Sequence, residues 1–243
     1  MNLIRSYIRK ILLETYANQN APKLIFLAGL PGGGKSTVIK NLELDHLFVV
    51  CNPDTFYEAA LKQNGVPLDM DTTMRRYSEL KKLTEDPEYV MTTLELEEFA
   101  KLKTFVSLGT NLMFQHAMPQ YNKQVEDIIK MGKNIILDGT AANFNKTIDA
   151  KLEYEELGYD VAMIAIDIPK EMALERNQQR GGQGGRAIPR FAIHQNAEKL
   201  EKALPMYKTA FKNFWTIKNS GTYEEFLTEI DLLKSEILNW VHS

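Results

Sequence analysis

Hydrophobic residues follow two rhythms along this chain. Short unbroken apolar runs occur at Lys23 to Ala28 (KLIFLA), Leu47 to Cys51 (LFVVC), Asn134 to Leu137 (NIIL) and Val161 to Ile166 (VAMIAI). Such runs predict strands buried on both faces, as in parallel sheets. Phe214 to Lys218 is a fifth candidate strand. Between them the period is helical: Lys35 to Leu42, Lys146 to Leu157 with Gly158 as its stop, and Glu171 to Gln179 broken by Gly181 to Gly185. Phe191 to Ala210 is also helical, with a break expected at Pro205, where proline removes a backbone donor. A closing helix over 222–243 places Phe226, Ile230, Leu233, Ile237 and Trp240 on one face. From about Thr55 to Met131 no strand is legible, and helical patches occur at 80–83, 94–106, 112–118 and 125–131. Residues 2–16 carry an apolar stripe (Leu3, Ile4, Tyr7, Ile8, Ile11, Leu12), suited to packing on the domain or, alternatively, to a membrane surface.

Strands alternating with helices imply one α/β domain over 1–243, a doubly wound parallel sheet of about five strands flanked by helices. An N-terminal helix (1–20) precedes it. A helical insertion (55–131) separates strands two and three. Ligands of such sheets sit at the carboxyl ends of the strands.

Composition narrows the class. The 243 residues are 44% hydrophobic and 25% charged, enough to bury a core without disulfide or metal staples. The 14 glycines and 9 prolines exclude collagen-like and low-complexity chains. The longest apolar run, Leu24 to Leu30, falls far short of the ~20 residues of a membrane helix. No signal-peptide pattern is legible, and the single cysteine, Cys51, has no internal partner for a disulfide. A cytoplasmic protein is the expectation. A net charge of −3 disfavours a broad DNA-binding face.

Eight of the fourteen glycines fall in two clusters. The first, Gly29-Leu30-Pro31-Gly32-Gly33-Gly34-Lys35-Ser36, satisfies G-x-x-x-x-G-K-[ST] between a buried strand and a helix. Glycines let successive backbone N–H groups turn toward a polyphosphate at a helix N-terminus. The expected roles are a phosphate cradle (Gly29, Pro31, Gly32, Gly33, Gly34), Lys35 on the β and γ phosphates, and the Ser36 hydroxyl on Mg²⁺ beside Thr37. That implies a P-loop NTPase fold and ATP as cosubstrate. The motif alone does not separate kinases from switches or motors.

The second cluster lies within Arg176-Asn-Gln-Gln-Arg180-Gly-Gly-Gln-Gly-Gly-Arg186-Ala-Ile-Pro-Arg190, and no acidic residue occurs from Arg176 through Ala197. This segment (176–190) is expected to be a lid bringing guanidinium groups to the transferring phosphoryl oxygens. Arg180 and Arg186 are the candidates for phosphate contact, Arg176 for stacking on adenine and Arg190 for the acceptor. A solvated basic loop is the bland alternative. Asp54, three residues past the second strand, is placed to accept an alcohol proton, or else to cap the helix that follows Asn52-Pro53. Asp138 ends the third strand in the apolar-run-plus-acid form that holds Mg²⁺ or meets the acceptor; a turn aspartate before Gly139 is the alternative. Asp167 ends the fourth strand in the same way, with a helix cap equally open. The four histidines show no metal-ligand spacing. Phe56, Tyr57 and Phe114 suit an acceptor wall or simple core packing. Lys199, Lys202, Lys208 and Lys212 suit a nucleic-acid backbone or a solvated helix face.

In order, GLPGGGKST, NPDTF, a helical insertion, KNIILDGT, GYDVAMIAIDIPKEMALERNQQR and GGRAIPR resemble the zeta-toxin/polynucleotide-kinase-like group of P-loop kinases, over about residues 23–195 and the strand near Trp215. The resemblance implies that Asp54 is the catalytic base and that Lys35 and Ser36 handle phosphate and metal. Asp138-Gly139-Thr140 stands where the group carries glutamate-Gly-Thr against the acceptor, which assigns Asp138 and Thr140 to substrate. It also implies lid contacts by Arg180 and Arg186. The expected activity is transfer of the γ-phosphate of ATP to a hydroxyl of a nucleotide, nucleotide sugar or nucleic acid. Kinases of hydroxymethylated bases in DNA, and an NTP-hydrolysing switch or assembly protein, are the alternatives. No membrane and no obligate protein partner are expected.

Overall fold

The computed structural model describes residues 21–243, so the stripe over residues 2–16 lies outside the described residues. Five strands form one sheet: β1 (Lys23–Ala28), β2 (Val49–Cys51), β3 (Ile135–Asp138), β4 (Asp160–Asp167) and β5 (Asn213–Lys218). All neighbours are parallel, in the order β2-β3-β1-β4-β5. The central strand, β1, is buried at all six positions. It pairs Leu24 with Ile135 on one side and with Val161 on the other.

The helices are α1 (Lys35–Asn41), α2 (Pro53–Gln63), α3 (Met70–Glu85), α4 (Thr93–Leu112), α5 (Met118–Lys130), α6 (Phe144–Glu156), α7 (Lys170–Gly182), α8 (Arg190–Ala210) and α9 (Tyr223–His242). A π-helical turn, Met113–Ala117, joins α4 to α5. The described chain divides into two compact units. One holds residues 21–51, Glu126–Pro169 and Asn196–Ser243; the other holds Asn52–Val125 and Lys170–Gln195.

In the sheet-bearing unit, alternation along the strands fills two cores. Ile25 and Leu27 of β1 share one with Ile164, Ile166, Ile217 and with Val38 of α1 and Phe226, Ile230 and Ile237 of α9. On the opposite face Phe26 meets the rings of Tyr154 and Phe211 edge-on. At the amino end of β1, the buried Lys23 ammonium lies 3.0 Å from Asp160 and 5.1 Å from the Trp240 ring centre. The Trp240 indole donates to the same carboxylate at 2.9 Å, so this buried cation is both paired and packed. The second unit has its own smaller core of Leu61, Val66 and Met70, with Tyr57, Phe105 and Leu108 packed against it.

Three details depart from the sequence expectations. β2 starts two residues late, because the N–H groups of Leu47 and Phe48 are tied to the Leu44 carbonyl of a short 3-10 turn. α8 runs through Pro205 without a break; the carbonyl freed one turn earlier belongs to the exposed Glu201 and can be hydrated. The patches between β2 and β3 are long helices whose ends are set by caps, such as the Thr92–Glu95 capping box of α4. Among the described residues, no helix is long and apolar enough to cross a membrane.

Burial pushes the Cys51 thiol of β2 up to about 11. The thiolate is the nucleophile, so native protein at pH 7–8 is expected to label only slowly with a maleimide and rapidly once unfolded. Prompt labelling of the folded chain would contradict this burial.

Candidate active site

The glycine motif forms the turn from β1 into α1. Gly33 N–H donates to the Leu30 carbonyl at 3.0 Å, and a Cβ on Gly33 would sit 2.8 Å from that same oxygen. Gly34 is left-handed (φ 90°), and a Cβ there would meet the Phe226 ring at 2.8 Å and the Asn219 amide at 2.9 Å. These two positions therefore require glycine for steric reasons. Asn219, buried after β5, donates to the Gly33 carbonyl at 2.8 Å and fastens the turn from below. Gly34 caps α1 and, lacking a side chain, supplies no capping acceptor of its own. Pro31 is buried, Ser36 is exposed and Thr37 half-buried.

Lys35 folds back over this turn. Its ammonium donates to the carbonyls of Gly29 (3.3 Å) and Leu30 (3.4 Å) and stands 3.9 Å from Asp138 Oδ1. Asp138 ends β3, and two residues on, the Thr140 carbonyl accepts from Gly29 N–H at 3.3 Å. Ala141 follows with φ 50°, an uncommon conformation for a residue with a Cβ; its carbonyl accepts from the buried Tyr207 hydroxyl at 2.8 Å. The unit thus brings Gly29 to Ser36, Asp138 and Thr140 to one sheet edge. Asp167 ends β4, exposed, and its carbonyl accepts from Asn219 N–H at 2.7 Å.

In the second unit, α2 begins with Asn52 as its cap: Asn52 Oδ1 accepts from Asp54 N–H at 2.8 Å. The Asp54 carboxylate is therefore not the cap, and it faces an arginine instead. Arg186 Nη1 and Nη2 donate to Asp54 Oδ1 and Oδ2 at 2.9 and 3.0 Å, a two-pronged ion pair. Arg186 Nε lies 3.9 Å from Glu58, and the guanidinium carbon lies 5.4 Å from the Tyr57 ring centre. Arg180 reaches the same Glu58 at 3.9 Å. Burial pushes the Tyr57 hydroxyl above its ordinary value; Arg186 pulls it down and Asp54 pushes it up by smaller amounts. Gly109 of α4 gives that hydroxyl room, since a Cβ there would lie 3.2 Å away.

The arginine segment is anchored on both sides of Arg186. Ala187 exchanges backbone hydrogen bonds with Leu68 and Met70 at 3.2 Å. The buried Asn177 side chain pairs with both backbone groups of Ile188 at 2.8 Å. Asp71 accepts from the Arg190 N–H (2.8 Å) and Nε (3.1 Å), and Arg190 also donates to Gln178 at 2.9 Å. Arg176 is half-buried on α7, which continues through Gly181 and Gly182. Phe114 is exposed, Phe56 and Tyr57 half-buried, and the four lysines of 199–212 exposed. Glu58, Asp71, Asn177 and Asn219 escaped sequence reading. Only Glu58 left a signal, its i+4 spacing from Asp54. Among the described residues, no group of three or more His, Cys, Asp or Glu could hold a metal.

A family model described as an AAA domain matches residues 24–203. No curated protein matches the chain. Among solved structures, a candidate kinase from Chloroflexus aurantiacus is similar at 15% identity and a TM-score of 0.53, with 92% of this chain and 98% of that one covered. A chain of the Pnkp1/Rnl/Hen1 RNA repair complex matches at 22% identity and a TM-score of 0.46 over 79% of this chain and 48% of that chain, so this chain spans about half of its length. A chain from the PezAT toxin–antitoxin system of Streptococcus pneumoniae matches at 13% identity and a TM-score of 0.44, covering 100% and 98%. The fold is the P-loop kinase type: a five-stranded parallel sheet flanked by helices, with the glycine turn after its central strand.

The turn's steric demand is testable. Gly34→Ala adds a left-handed cost of roughly 1–2 kcal/mol and displaces Phe226 or Asn219 as well. Urea unfolding should show a lowered midpoint, and a wild-type midpoint would mean the turn relaxes freely.

Proposed function

The chain belongs to the AAA domain family, and from that premise we propose that it is a phosphotransferase of the zeta-toxin/polynucleotide-kinase-like kind. It moves the γ-phosphoryl group of ATP to a hydroxyl of a nucleotide, nucleotide sugar or nucleic-acid end. The observation that carries this reading is the state of Asp54. Asn52 relieves it of capping, Arg186 fixes its orientation through both oxygens, and its side chain is 40% exposed. A switch protein has no need of such a fixed, accessible carboxylate; a kinase uses one as base.

In the proposed reaction the acceptor oxygen forms a bond to the γ phosphorus as the bridging oxygen to the β phosphorus leaves with ADP. The hydroxyl proton passes to Asp54. The carboxylate has about four lone-pair sites, and Arg186 occupies one on each oxygen, so acceptor capacity remains. Lys35 exchanges loop carbonyls for phosphate oxygens, and the turn's N–H groups hold the polyphosphate. An arginine of the 176–190 segment meets charge developing on the transferring group. The Ser36 hydroxyl and the Asp138 carboxylate are the oxygen donors that would hold Mg²⁺. When bound, that ion neutralises phosphate charge. The buried, unpaired-in-sequence Cys51 suits a reducing, cytoplasmic setting.

The test is incubation with γ-labelled ATP and a panel of nucleotide sugars, oligonucleotide ends and hydroxymethylated DNA. Label should move to one acceptor class; rapid hydrolysis that ignores every acceptor would instead identify a switch. Asp54→Asn should retain ATP binding while transfer falls about 10²–10⁴-fold, the range of a lost general base. Lys35→Ala should weaken triphosphate binding whatever the acceptor, and unchanged binding would count against the cradle.

A further inference from the structure

The two arginines assigned to phosphate differ in their surroundings. The Arg180 side chain is 52% exposed and, among the described residues, has one acidic neighbour, Glu58 at 3.9 Å. The Arg186 side chain is 7% exposed and is enclosed by one helix face: Asp54, Tyr57 and Glu58, at i, i+3 and i+4 of α2. Both Nη groups are committed to Asp54, Nε faces Glu58, and the guanidinium lies over the Tyr57 ring.

The backbone beside it is equally committed. Residues 187, 188 and 190 are held by Leu68, Met70, Asn177 and Asp71. Two of the segment's glycines serve close packing rather than freedom. A Cβ on Gly181 would lie 2.9 Å from the Ala187 Cβ, and one on Gly185 would lie 2.9 Å from Arg180 Cγ and 3.0 Å from its carbonyl. Drawing Arg186 out to a phosphate would break its two-pronged pair with Asp54 and its contacts with Glu58 and the Tyr57 ring. Arg180 carries no such commitment.

We propose that Arg186 is a positioning residue that fixes the orientation of the Asp54 carboxylate, and that Arg180 is the arginine left to meet phosphate. This rests on the kinase reading above and decides between the segment's arginines. A guanidinium suits the role because its planar fork matches both carboxylate oxygens and it does not release a proton. Glu58 and Tyr57 hold that fork from its other sides.

The experiment is a double-mutant cycle on the full chain, using an acceptor found in the labelling screen. For Arg186→Gln, kcat should fall by up to about 10²-fold, the scale of a misplaced catalytic group, while KM for ATP stays near wild type. In the Asp54→Asn background the same change should add little. Arg180→Gln should raise KM for ATP or multiply fully with Asp54→Asn. Arg186→Lys keeps a cation in the buried site should the glutamine variant fail to fold. A positioning role loses kcat with lysine, because the fork is gone, whereas a point-charge phosphate ligand tolerates it. Full multiplication of Arg186→Gln with Asp54→Asn, a large rise in its KM for ATP, or full activity of Arg186→Lys would overturn the assignment alone. A wild type that binds ATP yet phosphorylates no acceptor would remove the kinase reading, and this assignment with it.

Discussion

Burial of β1 on both faces is the constraint on which the rest of the sheet-bearing unit depends. A strand with neighbours on both edges and side chains packed above and below leaves its polar backbone no partner except the sheet itself. Its register with β3 and β4 therefore sets where each of those strands ends. Asp138 and Gly29 come to the same edge because Leu27 is paired with Asp138. The chain must then leave the sheet at once, and the turn does so where Leu30, Phe226 and Asn219 leave no volume for a Cβ. The phosphate-binding shape is thus a consequence of close packing around a central strand.

The two glycine clusters solve different problems. In the first, glycine permits a left-handed turn at Gly34 and close approach of the Gly33 backbone to the Leu30 carbonyl. In the second, Gly181 and Gly185 let the end of α7 and the returning chain approach each other, while Gly184 takes the left-handed turn between them (φ 77°). A glycine-rich stretch reads as loose in sequence. Here it belongs to a segment fastened by Asn177, Asp71 and the backbone of Leu68 and Met70. Buried polar groups in such a brace are matched to one another because an unmatched one costs about 1–3 kcal/mol.

Electrostatics in the second unit follow from that brace. A guanidinium left out of water needs a carboxylate, and α2 offers two on one face, one turn apart. Asn52 takes the capping duty that would otherwise occupy Asp54, so the carboxylate is available to Arg186. Tyr57 and Gly109 complete the surround, the ring beneath the cation and the missing side chain beside the hydroxyl.

Much of the fold was legible in order along the chain. Strand β1 appears in sequence as an unbroken apolar run, β3 and β4 nearly so, and the glycine-lysine-serine turn announces itself because each of its residues answers a local demand. Local rules also misjudged β2 and Pro205, where a 3-10 turn and an exposed carbonyl overrode propensity. The arginines looked unpaired because their partners lie far away in sequence: 132 residues separate Arg186 from Asp54 and 119 separate Arg190 from Asp71. Period and near neighbours are enough to locate most of the strands, the glycine turn and the stock of charged residues. Which charge meets which was settled by the fold, because ion pairing depends on distance in space and on exclusion of water.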